Sequence, residues 1–209
     1  MMQLIGRDFS PFTRRVGVSM KLLDIPFEWK ALSVVTDREQ IQAFNPLVRV
    51  PALVVEPGEP PLVESSQILS YIDSLAEPAR RLTPDGGPLQ RRVLWLTGVG
   101  TGAIEKGISS YYERTRRPKE YLFPQWVAQC DQQVDAALAV LESAAGEAAP
   151  WLAGERLTQA DVTAVCAFDF LGFAYPDADL ATRHPRLAAL TQRAYALQPF
   201  AETSLEKYR

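Results

Sequence analysis

At 209 residues, with 47% hydrophobic and 22% charged side chains, the chain has the composition of one or two globular domains, which excludes disorder as its main state. Its 22 basic and 25 acidic side chains leave a net charge of −3, so nothing electrostatic favours nucleic acid as the main partner. Two cysteines, Cys130 and Cys166, and one histidine are too few for a disulfide scaffold or a Cys/His zinc cluster, and no metal is expected. No apolar run approaches the roughly 18 residues of a membrane span. The opening Met-Met-Gln-Leu-Ile-Gly-Arg-Asp lacks the basic-then-apolar pattern of a signal peptide. A cytoplasmic protein of a reducing compartment, bound neither to nucleic acid nor to a membrane, is the expectation.

Gln3-Leu4-Ile5 reads as a first strand, and Val16, Met20 and Leu23 recur at helical spacing after it. Phe27-Glu28-Trp29-Lys30-Ala31 alternates like a half-buried strand, and an irregular helical stretch follows. Ala52 to Val55 and Pro61 to Val63 flank Glu56-Pro57-Gly58-Glu59-Pro60, a turn by composition, which predicts a hairpin. Ile68, Leu69 and Ile72 return to helical spacing. Glu77 to Pro88 holds three prolines and two glycines and reads as a linker. From Leu89 on the pattern is helical throughout, without an internal repeat. The reading is a small α/β domain over residues 1–79 and an all-helical domain over residues 88–209. The whole net charge falls on the first, where 7 basic residues face 10 acidic ones.

Ser10-Pro11 joins the first strand to the first helix, as an N-cap serine followed by proline at the first helical position. Ser10 is then either a helix cap alone, or a hydroxyl that donates to a bound thiolate where the helix N-terminus already favours an anion. Arg14, in the same turn, either assists electrostatically or is a solvated helix-end arginine. Val50-Pro51 enters the third strand as a strand-entry proline or as a cis bond that turns the backbone toward a ligand. Glu64-Ser65 opens the next helix, with Ser65 as cap offering free amides to a carboxylate and Glu64 able to pair with an ammonium.

Taken together, Ser10-Pro11-Phe12, Asn45-Pro46-Leu47-Val48-Arg49-Val50-Pro51 and Glu64-Ser65, followed by an all-helical half, resemble the cytosolic glutathione transferase family. The likeness covers essentially the whole chain, and Ser-Pro-Phe is similar to the serine-type classes, plant tau-like and bacterial members included. The resemblance implies a thioredoxin-like N-terminal domain that binds glutathione as co-substrate, a helical C-terminal domain that helps bind the electrophile, and a homodimer. It implies that Ser10 stabilises the glutathione thiolate, that Val50 with cis-Pro51 holds the cysteinyl backbone, and that Glu64 and Ser65 hold the γ-glutamyl end. Arg49 is its candidate for the glycyl carboxylate, and Phe12 for contact with the electrophile.

In the helical half, Thr158-Gln159-Ala160-Asp161 reads as a capping box, with a role in folding and not in catalysis. Gly98-Val99-Gly100-Thr101-Gly102-Ala103 fits a dinucleotide-binding fingerprint, but no parallel strand follows it, so the expectation is a helix whose three interior glycines serve close packing or leave room for a ligand. Tyr111, Tyr112 and Arg116 lie near that helix's end, Tyr112 and Arg116 on one face. They either line the electrophile pocket, as the resemblance implies, or close the core. Four basic residues from Arg114 to Lys119 are flanked by Glu113 and Glu120 and read as solvated surface. His184-Pro185 enters a further helix, and both cysteines read as small buried hydrophobes.

The functional reading is thiolate attack on a small apolar electrophile, that is, a detoxifying glutathione S-transferase. A glutathione-dependent isomerase or dehalogenase on the same scaffold is the second reading, and a non-catalytic interaction protein the third.

Overall fold

The computed structural model describes residues 1–147, except the Glu147 side chain, and residues 150–208. By internal contact the chain divides into two compact units, Met1–Asp85 with the stretch from Tyr195 on, and Gly86–Ala194.

The first unit runs β1 (Met2–Ile5), α1 (Pro11–Leu22), β2 (Phe27–Lys30), the short α2 (Arg38–Gln42), β3 (Ala52–Val54), β4 (Leu62–Val63) and α3 (Ser65–Leu75). Its mixed sheet has the order β2-β1-β3-β4, with β1 parallel to β2 and antiparallel pairing elsewhere. Leu4 and Ile5, both fully buried, stand opposite Leu53 and Ala52, so the sheet centre is apolar on both faces. Helix α1 crosses this sheet closely at Gly17, where an added Cβ would stand 2.3 Å from the Trp29 ring. Only glycine fits there. Trp29 is itself fixed by donating from Nε1 to the Gly6 carbonyl at 2.7 Å.

The expected boundary of the helical domain at residue 209 extends too far. Residues 195–208, including the short α9 (Gln198–Ala201), pack within the first unit, where Phe200 is fully buried. The physical cause is Arg14. This side chain is buried, not solvated, and donates to Thr203 Oγ1 at 3.2 Å and Tyr195 Oη at 3.1 Å.

The second unit contains α4 (Gly87–Arg116), α5 (Pro124–Glu147), α6 (Gln159–Ala174), the short α7 (Leu180–Arg183) and α8 (Pro185–Ala194). Helix α6 is buried along nearly its whole length, as an apolar-all-round helix must be. Helix α4 runs unbroken through Gly98, Gly100 and Gly102, which removes the dinucleotide-loop reading. Two of its glycines allow close approach to α6. A Cβ on Gly100 would meet Thr163 at 3.1 Å, and one on Gly107 would stand 2.4 Å from Leu171. Among the described residues, no helix is long and apolar enough to cross a membrane.

The capping box at the start of α6 is present, and it reaches further than its own helix. Asp161, with no exposed surface, accepts from Thr158 N–H and Oγ1–H at 2.8 Å each and from Leu152 N–H at 2.7 Å. Burial pushes its carboxyl above the ordinary carboxylate value, and the donors around it oppose that rise. Asp161→Ala would strand two buried amides, at about 1–3 kcal/mol each. Urea denaturation should therefore show a loss of at least about 2 kcal/mol for this variant.

Candidate functional site

Three segments of the first unit converge on one cleft. Helix α1 contributes Phe12, the loop before β3 contributes Asn45, Leu47, Arg49, Val50 and Pro51, and the junction of β4 with α3 contributes Val63, Glu64 and Ser65. The cleft encloses about 390 Å³ of space open to solvent.

Ser10 occupies the N-cap of α1, and its Oγ accepts the Thr13 N–H at 3.4 Å. The capping half of the sequence reading is thus visible. Acting as acceptor at the cap leaves the O–H hydrogen available for donation. Phe12, rather than Ser10, represents α1 in the cleft lining.

The loop before β3 is held by a residue to which sequence reasoning gave no role. Asn45, 2% exposed, donates from Nδ2 to the Arg49 carbonyl at 3.0 Å and accepts the Leu47 N–H at 3.0 Å. Between these two bonds Val48 has φ 52°, a left-handed conformation that a β-branched side chain adopts at a cost of about 1–3 kcal/mol. The Val50–Pro51 bond that follows is cis.

Glu64, and not Ser65 as expected, is the N-cap of α3, because its longer side chain reaches the Ser66 amide while Ser65 is already the first helical residue; Glu64 also has a positive φ, 71°. Its Oε1 accepts from Ser65 Oγ at 3.1 Å and from the Ser66 N–H at 3.5 Å. Ser65 is 1% exposed, and beneath it lies Arg15, fully buried on α1. Arg15 donates to Ser65 Oγ from Nε at 3.2 Å and from Nη2 at 2.8 Å, and from Nη2 to Ser66 Oγ at 2.8 Å. Sequence reasoning assigned Arg15 no role, because its partners lie on α3, 50 and 51 positions further along the chain.

Tyr111, Tyr112 and Arg116 gather on α4, in the second unit. Tyr111 makes edge contacts with Phe170 and Phe173, ring centroids 6.3 Å apart in each case. The Arg116 guanidinium lies 3.8 Å from the Tyr112 ring centroid, so the shared face expected from their spacing is realised as a cation–π contact. Tyr112 is partly exposed at 36%.

The glutathione S-transferase N-terminal domain matches residues 4–80, and its C-terminal domain matches residues 124–193. The chain belongs to the glutathione S-transferase family. The GST-like protein YibF of Escherichia coli K12 is 26% identical over 207 residues, covering 99% of this chain and all of that protein. Among solved structures, a glutathione S-transferase from Methylobacterium radiotolerans in complex with glutathione sulfonate superposes with a TM-score of 0.89 at 25% identity. That match covers 97% of this chain and 93% of the other. A glutathione transferase family member from Pseudomonas fluorescens Pf-5, with bound glutathione, gives a TM-score of 0.86 at 27% identity and 98% coverage of each chain. The fold is therefore that of a glutathione S-transferase, a thioredoxin-like unit with a helical one.

In this member of the family, the shape of the loop before β3 depends on Asn45. Asn45→Ala should cost about 1–2 kcal/mol in chemical denaturation and speed hydrogen exchange at the Leu47 amide. Asn45→Asp keeps the acceptor for Leu47 but loses the donor to Arg49, so its Leu47 amide should stay protected.

Proposed function

We propose that the protein transfers small apolar electrophiles onto the thiol of glutathione. The observation that carries this reading is the single cleft in which a helix N-terminus with an acid beside it lies together with the Arg49–Pro51 backbone. A γ-glutamyl head carries both an ammonium and a carboxylate. Glu64 suits the first, and the N-terminus of α3 at Ser65 suits the second. Val50 would hold the cysteinyl backbone next to Pro51, and Arg49 would meet the glycyl carboxylate. Glutathione sulfonate bound to one of the similar proteins and glutathione bound to another support the same reading.

Ser10 then acts on the thiol. The thiolate attacks the electrophilic carbon, the new S–C bond forms as the leaving group departs with its electron pair, and the thiol proton goes to solvent. A free thiol has a pKa near about 8.5, and lowering it by about two units takes roughly 2.7 kcal/mol of preference for the thiolate. A charge-assisted bond from the Ser10 hydroxyl supplies part of this, and the N-terminus of α1 adds up to about 1 kcal/mol. Phe12 and the Tyr111, Tyr112 and Arg116 group would contact the electrophile. The reduced, buried thiols of Cys130 and Cys166 suit a cytoplasmic setting.

A homodimer belongs to the same proposal. Leu94 and Trp95 on α4 are 53% and 57% exposed, and Gly98 and Gly102, three to four residues apart along the same helix, meet open space at the Cβ position. An apolar, low-relief face of this kind suits contact with a second copy. Light scattering should give twice the 23.2 kDa chain mass, and Trp95→Glu should shift the population toward single chains.

The test of the chemistry is thiolate absorbance of bound glutathione against pH. Ser10→Ala should raise the thiol's pKa and slow conjugation by about 10- to 100-fold, roughly 1.4–2.7 kcal/mol, with little change in glutathione affinity. Coincident titrations in the two proteins would show that Ser10 is a helix cap and nothing more.

A further inference from the structure

Ser65 has a hydrogen-bonding geometry that its neighbours dictate. A serine hydroxyl carries one hydrogen and two lone pairs. Both parallel N–H groups on one edge of the Arg15 guanidinium point at Ser65 Oγ, at 3.2 and 2.8 Å, and take up its acceptor capacity. The hydroxyl hydrogen has to leave in the remaining direction, and it runs to Glu64 Oε1 at 3.1 Å, on the cleft wall. A serine at the N-cap itself would turn its oxygen inward and accept from the helix amides, but Ser65 stands one residue later. Here that role falls to the Glu64 carboxylate, which accepts the Ser66 N–H.

We propose that Arg15 is a positioning residue that makes Ser65 an obligatory donor toward the cleft, and so selects a carboxylate-bearing amino-acid head. The proposal rests on the glutathione reading above. When the γ-glutamyl group binds, the Ser65 hydrogen passes from Glu64 to the ligand's α-carboxylate. Glu64, released from Ser65, takes the ligand's ammonium. One exchange of partners thus satisfies both charges of the zwitterion, with no heavy atom of Ser65 displaced. The buried positive charge of Arg15 acts in the same sense as the α3 dipole, and both favour a carboxylate at Ser65.

A binding cycle tests this directly. Glutathione and 4-aminobutyryl-cysteinyl-glycine, which is glutathione without the γ-glutamyl α-carboxylate, are titrated calorimetrically into wild type, Ser65→Ala, Arg15→Gln and the double variant. Ser65→Ala should weaken glutathione about 10-fold or more in the wild-type background, as loss of a bond to a charged group does. In the Arg15→Gln background the same change should cost less than about 3-fold, because the hydroxyl is no longer directed. The analogue should bind all four proteins within about 3-fold of one another. Equal Ser65→Ala penalties in both backgrounds, with glutathione bound, would overturn the proposal. If Arg15→Gln does not fold, Arg15→Lys carries the comparison, since it keeps the charge but cannot present the paired donors. An undiminished Ser65→Ala penalty there overturns the proposal equally. A wild-type chain that binds no glutathione would overturn the glutathione reading itself, and this proposal with it.

Discussion

Two consecutive arginines on α1, Arg14 and Arg15, are both fully buried, and the arrangement of the first unit follows from where their guanidinium groups find partners. Taking such a group out of water costs several kcal/mol unless hydrogen bonds replace the lost hydration. Successive residues on a helix point about 100° apart, so the two cannot share a solution. Arg14 is answered by Thr203 and by Tyr195, whose ring also lies 5.8 Å from it. Arg15 is answered by the two serines that open α3. One pair of residues thereby fixes α3 against α1 on one side and the final stretch of the chain on the other. The start of α3 and the lower wall of the cleft are set by the same contact.

The cleft itself is built from backbone that the rest of the unit holds in unusual conformations. Val48 and Glu64 both have positive φ, and each stands beside residues that line the space. Conformations of this kind persist where surroundings over-determine them. Asn45 does so for the first, with bonds on both sides of Val48. For the second, the Glu64 carboxylate takes over the cap of α3 and holds its own backbone at the turn. The result presents the Arg49 to Pro51 backbone and the α3 N-terminus to one volume.

Much of this was legible in the residue order, and the parts that were not have a common cause. Alternation and turn chemistry located β1, β2 and the β3–β4 hairpin, because period and proline-rich turns are local signals. Ser10-Pro11 and Thr158-x-x-Asp161 marked helix starts for the same reason. Asn45, Arg15 and Ser66 were not assigned roles, since what makes each matter is a set of partners 2 to 51 positions away that no periodicity reveals. The domain boundary failed on the same ground. Residues 195–208 continue the helical pattern, and only the buried Arg14 shows that they pack with the first unit. The three glycines near residue 100 are the converse case, a local pattern that its context already argued against. Read locally they resemble a phosphate loop, whereas in the helix Gly100 admits Thr163 and the flanking pair faces open space.

The chain also contains the same chemical device twice, with opposite consequences. At the start of α6, Asp161 sits with Thr158, and at the start of α3, Glu64 sits with Ser65; in each pair a hydroxyl donates to the carboxylate at a helix N-terminus. Asp161 is closed on every side. One oxygen takes Leu152 N–H, the other takes both donors of Thr158, and no surface remains for a ligand. Because burial raises its pKa, its proton is favoured in the folded chain; the stability this gives is complete below the unfolded value of 3.8 and is lost as pH rises through the folded one. Glu64 stands exposed on the cleft wall, with a carboxylate whose partners can be exchanged at little desolvation cost. An acid beside a hydroxyl at a helix start is thus a folding element when its acceptors are saturated in the interior. It becomes a candidate recognition element when one side is left to solvent and the hydroxyl is held from behind, as Arg15 holds Ser65.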